Sequence, residues 1–585
     1  MSDLSPPEWD LSLLYTPESR ELKNDLHILN QKREAFVSFR ELLDQRAPTP
    51  EEFGNLVRQL ESISLLTGRL SAFACLWFSE NTSDQKASSF LSSMDQLSAE
   101  INNDILFFEL WWKKLNPEAA GSLRKTLPEY DYFLTNIRAY VEHTLTEPEE
   151  KIINLKDVTG REALLSLYDT LTNRYQFDSS FIPEGDGRPL NREQLSVYFR
   201  SHKPELRAGA YRSLYRIYSQ DGPILGQIYQ ALVRDFSLEN LRLRRYPSPI
   251  GVRHKYNDLP QETVASLLRV CQAKSQAIFG RYFHKKAQVL GLPGLRRCDL
   301  YAPLAEDKRQ WTFEEGLDLV VSCFKDFDPQ MGRLALNVAQ SRHLDAQIRA
   351  NKRSGAFCYS LDPQSVPWVM MTYNGRRNDL FTLAHELGHA VHSQLAGANN
   401  YFQFQACLPL AETASTFGEM ILAAHLKRKA RTEDEKLGLS FMMLDDAYAT
   451  VGRQAFFALF EIKAHELIEA GATVDELSEA YWANLKAQFG QALEIPEDFR
   501  WEWVSIPHIF HTPFYVYAYS FGQLLVYSLW RIFEKEGSAL TGRLLKLLAR
   551  GGSAPPLALA AEAGLGPLDD EFWSNGFEVI ESFLF

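Results

Sequence analysis

No uninterrupted apolar run in this 585-residue chain reaches membrane-spanning length. Its start, MSDLSPPEWDLSLLY, has neither a basic n-region nor an apolar h-region, so a secretory signal is not expected. A basic stripe is missing too. The net charge is −13, and positive residues gather only in short clusters such as Lys427, Arg428 and Lys429, so nothing points to a nucleic-acid partner or a membrane. Cysteine is scarce: six residues lie scattered at 75, 271, 298, 323, 358 and 407, without a C-x-x-C pair, and read as reduced thiols. Internal repeats and low-complexity segments are absent. These absences leave a soluble, cytoplasmic protein, too long for one simple core and so built from two or more subdomains.

What the chain does have is concentrated in LFTLAHELGHAVHSQLAG, residues 380–397. Three histidines and a glutamate interrupt a run rich in leucine and alanine, where core helices avoid such groups unless they have partners. The run contains no proline and few β-branched residues, which predicts a helix with Gly397 as its C-terminal stop. His385 and His389, four apart, then share one face, and Glu386 lies about 100° around the helix, within reach of an ion held by both rings. This is H-E-x-x-H, in which two histidines bind zinc and the glutamate serves as general base of a metallopeptidase. HELIE at 465–469 has the histidine and glutamate but no second histidine, and reads as an ordinary amphipathic helix.

Catalytic zinc takes three protein ligands and keeps a place for water. His392 falls on nearly the same face as His385, but three imidazoles spread over two turns of a rigid helix cannot converge on one ion; it is read as a neighbour. LPLAETASTFGEMILAAHLKRK, 408–429, has a second helical pattern with Pro409 near its start. Glu412 and Glu419 are seven apart and face one way, and a carboxylate among leucine, alanine and phenylalanine wants a cation. Glu412 is the candidate third ligand and Glu419 a partner for one histidine, against the alternative of two solvated helix carboxylates.

Elsewhere, residues 18–120 predict long helices broken at RAPTP, with Thr49-Pro50 as a helix start. FDSSFIPEGDGRPLN, 177–191, reads as a short strand and turn, and a boundary falls near 195. RSGAFCYSLDPQSVPWVMMTYNG, 353–375, predicts two short strands around a turn, either a structural hairpin or an edge that pairs with an extended peptide. In HIFHTPFYVYAYSFGQLLVYSLWRIFEKEG, Thr512 is a suitable N-cap and Pro513 a suitable first residue of a helix running to Gly537. His508 and His511 would then project from the preceding loop. Tyr515 and Tyr519 share a face from which Tyr517 points away. Such a stripe is either core or a cluster awaiting a ligand.

HELGHAVH followed by LAETASTFGE resembles the M3 family of zinc peptidases, the group of thimet oligopeptidase and oligoendopeptidase F. EWDLSLLY at 8–15 and IPHIFHTPFYVYAYSFGQLL at 506–525 resemble the start and the C-terminal substrate segment of oligoendopeptidase F, so the likeness spans most of the chain. It implies a mainly α fold with a small β element near the site and a deep channel for oligopeptides. It divides the chain into an N-terminal oligopeptidase F-like region, 1–195, and a catalytic region, 196–585. It implies one Zn²⁺ held by His385, His389 and Glu412, with Glu386 as base. It also implies that Tyr519 and one of His508 or His511, with Tyr515 beside them, donate to the substrate oxyanion. Thimet-type members carry their tyrosines one turn further, to a position held here by Gly522. The function expected is endopeptidase cleavage of oligopeptides. The alternatives are another helical zincin, such as a carboxypeptidase, and a peptide-binding protein without turnover.

Overall fold

Local signals account for the first three helices. Helix α1 (Arg20–Gln45) opens on Ser19, whose side chain accepts from the Leu22 N–H. In α2 (Pro50–Glu80), Thr49 and Glu52 cap each other's backbone N–H groups and Pro50 occupies the first turn. Helix α3 (Gln85–Lys114) starts at Asp84 and ends on Lys113 and Lys114, which complement its negative pole. Buried residues recur every seven positions: Leu22, Leu29, Phe36 and Leu43 on α1, and Met94, Ile101 and Phe108 on α3. These stripes close on Phe53, Leu56, Val57, Leu60 and Ile63 of α2 to form one core. By length and composition α2 could cross a membrane, but Arg58, Glu61 and Arg69 interrupt it and its apolar residues are packed in that core.

The computed structural model describes residues 6–183, 185, 187–304 and 309–584; the acidic start, Glu184 and Asp186 lie outside them. The chain forms two compact units, both discontinuous in sequence. The first comprises residues 1–142, 307–426 and 533–565, and the second 143–306, 427–532 and 566–585. Most of the described chain is helical, as expected.

In the first unit a three-stranded sheet has the order β1-β3-β2. Strands β2 (Phe357–Tyr359) and β3 (Trp368–Met370) form the expected antiparallel pair, with Cys358 opposite Val369. Strand β1 (Leu344–Asp345) pairs parallel to β3 and was not expected. It is two residues long, too short to show alternation, and its Asp345 is fully buried; Arg349 and Lys352 bind that carboxylate from the next turn. Strands β2 and β3 pack on helix Arg377–Leu395, which carries the H-E-x-x-H residues.

The second unit is built on helices Pro204–Ser237, Gln261–Val289, Arg453–Glu469 and Val474–Phe489. Its interior contains ion pairs: Arg207 with Asp299 at 2.8 Å and Arg297 with Glu502 at 2.7 Å, all four side chains buried. Phe177 and Leu190 exchange two backbone hydrogen bonds, and among the described residues the strand expected at 177–191 is reduced to that single bridge.

Candidate metal site and the aromatic segment

Helix Arg377–Leu395 begins where Asp379 accepts from the N–H groups of Asn374 and Arg376. Leu380, Leu383, Ala384, Leu387, Ala390 and Val391 bury one side of it. His385 and His389 emerge one turn apart on the less buried side, as 3.6-residue periodicity requires. The helix stops at Leu395, and the expected stop, Gly397, lies in the 3-10 turn Ala396–Ala398 that follows.

The second helix departs from expectation in one respect. Residues 408–429 form a short turn, Leu408–Ala411, and then helix Thr413–Lys429, with Glu412 at the junction (φ −84°, ψ 0°) rather than inside one continuous helix. The Ser415 hydroxyl donates to the Glu412 carbonyl at 3.0 Å and to its Oε2 at 2.8 Å, fixing this residue at both ends. His392 is buried and hydrogen-bonds the backbone of Ala411, one residue earlier. It therefore braces the junction and is not among the groups that could hold a metal.

Two glycines let these helices meet. A Cβ on Gly388 would stand 2.6 Å from the Ala414 carbonyl oxygen, and one on Gly418 would stand 2.9 Å from that of Ala384. Real side chains do not approach backbone so closely, so a larger residue at either position would force the helices apart.

The result is a small triangle. His385 Nε2 lies 3.2 Å from His389 Nε2 and 3.3 Å from Glu412 Oε2, and His389 Nε2 lies 3.3 Å from the same oxygen. A tetrahedral zinc with bonds of about 2.0–2.1 Å separates its ligand atoms by about 3.3–3.4 Å, so the three donors fit that ion. The electrostatics agree. Burial opposes charge on His385, but Glu412 and Glu419 outweigh it and hold the ring's pKa well above its ordinary value. Burial likewise opposes ionisation of Glu412, and the two histidines overcome it. The cluster therefore favours positive charge where the three donors converge. Glu419 accepts from His385 Nδ1, leaving Nε2 to face the triangle. Glu386 is buried beside the ligands, and that burial pushes its carboxyl up. Ser415 and Gly418 were not singled out from sequence, although both fall within one turn of the two glutamates.

The other predicted residues lie in the second unit. His508 and His511 are not in an extended loop. They sit on the helical turn Pro507–His511, and the following helix starts at Tyr517, not Pro513. Phe514 has a φ of 57°, a left-handed conformation that ends one helical segment before the next begins. Three of the four residues cluster. The His508 ring lies 6.0 Å from both Tyr515 and Tyr519, the two tyrosine rings are 5.2 Å apart, and the Tyr519 hydroxyl is 3.5 Å from His508 Nε2. Burial, with Arg453 and His511 nearby, pushes the His508 pKa below its ordinary value. His511 turns elsewhere, with its Nε2 2.9 Å from Asp169 Oδ1. Tyr517 is buried and accepts from Asn257 Nδ2.

Two helical histidines one turn apart, a carboxylate from a second helix and a glutamate beside the ligands define a metallopeptidase of the helical H-E-x-x-H class. The family model for Peptidase family M3 matches residues 197–579 and that for Oligopeptidase F matches 112–177; the chain belongs to peptidase family M3 and is a metallo-endopeptidase. It is 25% identical over 596 residues to an oligoendopeptidase F homolog of Lactococcus lactis subsp. lactis (strain IL1403), covering 98% of this chain and 95% of that protein. It is 26% identical over 448 residues to oligopeptidase PepF of Bacillus subtilis (strain 168), covering 76% and 66%. Among solved structures, a putative peptidase from Chlamydophila abortus has a TM-score of 0.84 at 23% identity, covering 98% of each chain. Oligoendopeptidase-F from Enterococcus faecium has a TM-score of 0.72 at 21% identity, covering 97% of this chain and 98% of that one. The family implies a catalytic metal, and His385, His389 and Glu412 are the residues placed to hold one.

Proposed function

We propose that this chain is a zinc-dependent endopeptidase that cuts internal bonds of short to medium oligopeptides in the cytoplasm, with Glu386 as general base. The observation that carries this reading is the 3.2–3.3 Å triangle of His385, His389 and Glu412 with Glu386 next to it in sequence. Bound there, Zn²⁺ supplies a Lewis acid that acidifies a water and polarises the scissile carbonyl. Glu386 takes the proton that the attacking water loses and returns it to the leaving amine. His508 and Tyr519, with Tyr515 beside them, donate hydrogen bonds to the developing oxyanion; the pairing of His511 with Asp169 favours His508 over His511. Strand β2, at the outside of its sheet, offers backbone groups to an extended substrate.

The test is mass spectrometry of peptides of roughly 5 to 20 residues incubated with the purified protein, with its Glu386→Gln variant and with chelator. Internal cuts made only by the unmodified, metal-loaded protein are the expected result. Single residues trimmed from an end would indicate a carboxypeptidase. Intact peptides in the presence of bound zinc would indicate a peptide-binding protein without turnover.

A further inference from the structure

Residues 511–517 follow a path that neither neighbouring helix continues. Phe514 is buried at a φ of 57°, a left-handed conformation that strains a non-glycine residue. Something must hold it there, and five contacts from distant parts of the sequence do. Arg161 Nη2 donates to the His511 carbonyl at 2.9 Å, and Arg253 Nε donates to the Pro513 carbonyl at 3.3 Å. The Phe514 N–H donates to Glu461 Oε1 at 2.9 Å. Asn257 Nδ2 donates to the Tyr517 hydroxyl at 2.9 Å, and His254 Nδ1 lies 3.3 Å from that same oxygen. The anchors come from helices Arg161–Asn173, Pro249–Tyr256 with its cap, and Arg453–Glu469.

Glu461 is the telling member. It is fully buried, and its second oxygen has no hydrogen-bond partner. A carboxyl is a costly way to fill a protein interior, where leucine would be cheaper. Burial pushes its pKa up to about 8, opposed by the Phe514 N–H and Arg253. Its hydrogen bond goes to the backbone of the one residue with left-handed φ between His508 and Tyr519. Both sides of that residue are tied into the same turn: Thr512 N–H donates to the His508 carbonyl at 2.9 Å, and Tyr515 N–H to the Thr512 carbonyl at 3.1 Å.

We propose that Glu461, assisted by Arg253, is a positioning residue for peptide hydrolysis: by fixing Phe514 it aims His508 and Tyr519 together. This rests on the reading of His508 and Tyr519 as the oxyanion donors. Steady-state kinetics of Glu461→Ala, Glu461→Gln, Tyr519→Phe, His508→Ala and the double variant Glu461→Ala/Tyr519→Phe test it, with bound zinc measured in each. Glu461→Ala should lower kcat by about ten- to a hundredfold while KM and zinc content stay near the starting values. Glu461→Gln keeps the accepting oxygen and should restore kcat. In the double variant, Glu461→Ala should cost clearly less than it costs in the unmodified chain, because part of its effect is the lost aim of Tyr519, which Tyr519→Phe has already removed. If Glu461→Ala does not fold, Arg253→Met, at a half-buried position, carries the same test with a loss of about three- to tenfold. Full kcat in Glu461→Ala beside an impaired Tyr519→Phe overturns the positioning role and leaves the donor reading standing. Losses that multiply in the double variant also overturn it. Full kcat in both Tyr519→Phe and His508→Ala overturns the donor reading, and the positioning role with it.

Discussion

The candidate metal site and the aromatic segment both gather polar side chains, yet the chain builds them in opposite ways. His385 and His389 owe their geometry to helical periodicity, and Glu412 to a junction pressed against them through Gly388 and Gly418. His508, Tyr515 and Tyr519 flank a left-handed phenylalanine, held by Arg161, Arg253 and Glu461 from far away in sequence. The first arrangement is rigid because regular elements are rigid. The second is rigid only as long as its anchors hold. Substitutions should therefore act on the metal site abruptly and on the aromatic segment by degrees.

The largest expected effect is loss of the third ligand. Glu412→Ala should weaken zinc binding on the order of a thousandfold, about 4 kcal/mol, and reduce turnover to background. Metal content after dialysis, beside peptide hydrolysis, measures it; tight zinc retention would remove Glu412 from the ligand set. Gly388→Ala should come next. Its methyl group would meet the backbone of Ala414 and Ser415, costing about 3 kcal/mol of stability and disturbing the triangle. Thermal unfolding and zinc affinity should fall together, and an unchanged Tm would show that the helices do not need this close approach. Glu419→Ala should leave the ligands in place but cost about ten- to a hundredfold in zinc affinity, read by competition with a chelator.

The aromatic segment should respond more gently. Tyr519→Phe should lower kcat by about a hundredfold with zinc retained, whereas His511→Ala, which loses its bond to Asp169, should change kcat by no more than about threefold. A loss of kcat in His511→Ala that exceeds the loss in His508→Ala would exchange the roles of the two histidines. The smallest expected effect on activity, Glu461→Gln, has a distinct pH signature. The folded protein holds the Glu461 proton up to about pH 8, and the unfolded chain releases it near the ordinary glutamate value. Stability therefore falls as pH rises between those values and levels off above the higher one. Between about pH 6 and pH 9 the loss is on the order of 2 kcal/mol, and Glu461→Gln should lack it in denaturant titrations.

What could be read from sequence divides along the same line. The histidine helix, the helix bearing Glu419, the β2–β3 pair and the first three helices are written in local patterns: spacing of four and seven, a helix-start signal at Thr49-Pro50, and glycine, proline and β-branched or aromatic residues around a turn. Glu419 lies at a predictable place on its helix, whereas Glu412 stands at a junction that the helical pattern does not show, and the family resemblance is what singles it out as a ligand. The helix start expected at Pro513 failed because the signals at Thr512 and Pro513 are local, whereas the conformation of Phe514 is imposed by Glu461, some fifty residues earlier. The HELIE stretch is helical, as its pattern predicts, but its His465 and nearby Glu461 are buried, which no single-sequence period reveals. Strand β1 has no local sequence signal because its buried Asp345 breaks the apolar pattern and is satisfied by residues further along.

The measurement that bears most directly on the site is a zinc titration of the dialysed protein with turnover followed in parallel, in the unmodified chain and in Glu386→Gln. One equivalent of Zn²⁺ should bind to both, restoring peptide cleavage in the first and leaving the second at least about a hundredfold slower. Turnover in Glu386→Gln at the unmodified rate, or no zinc bound by the unmodified chain, would contradict the reading of His385, Glu386, His389 and Glu412 as the centre of the enzyme.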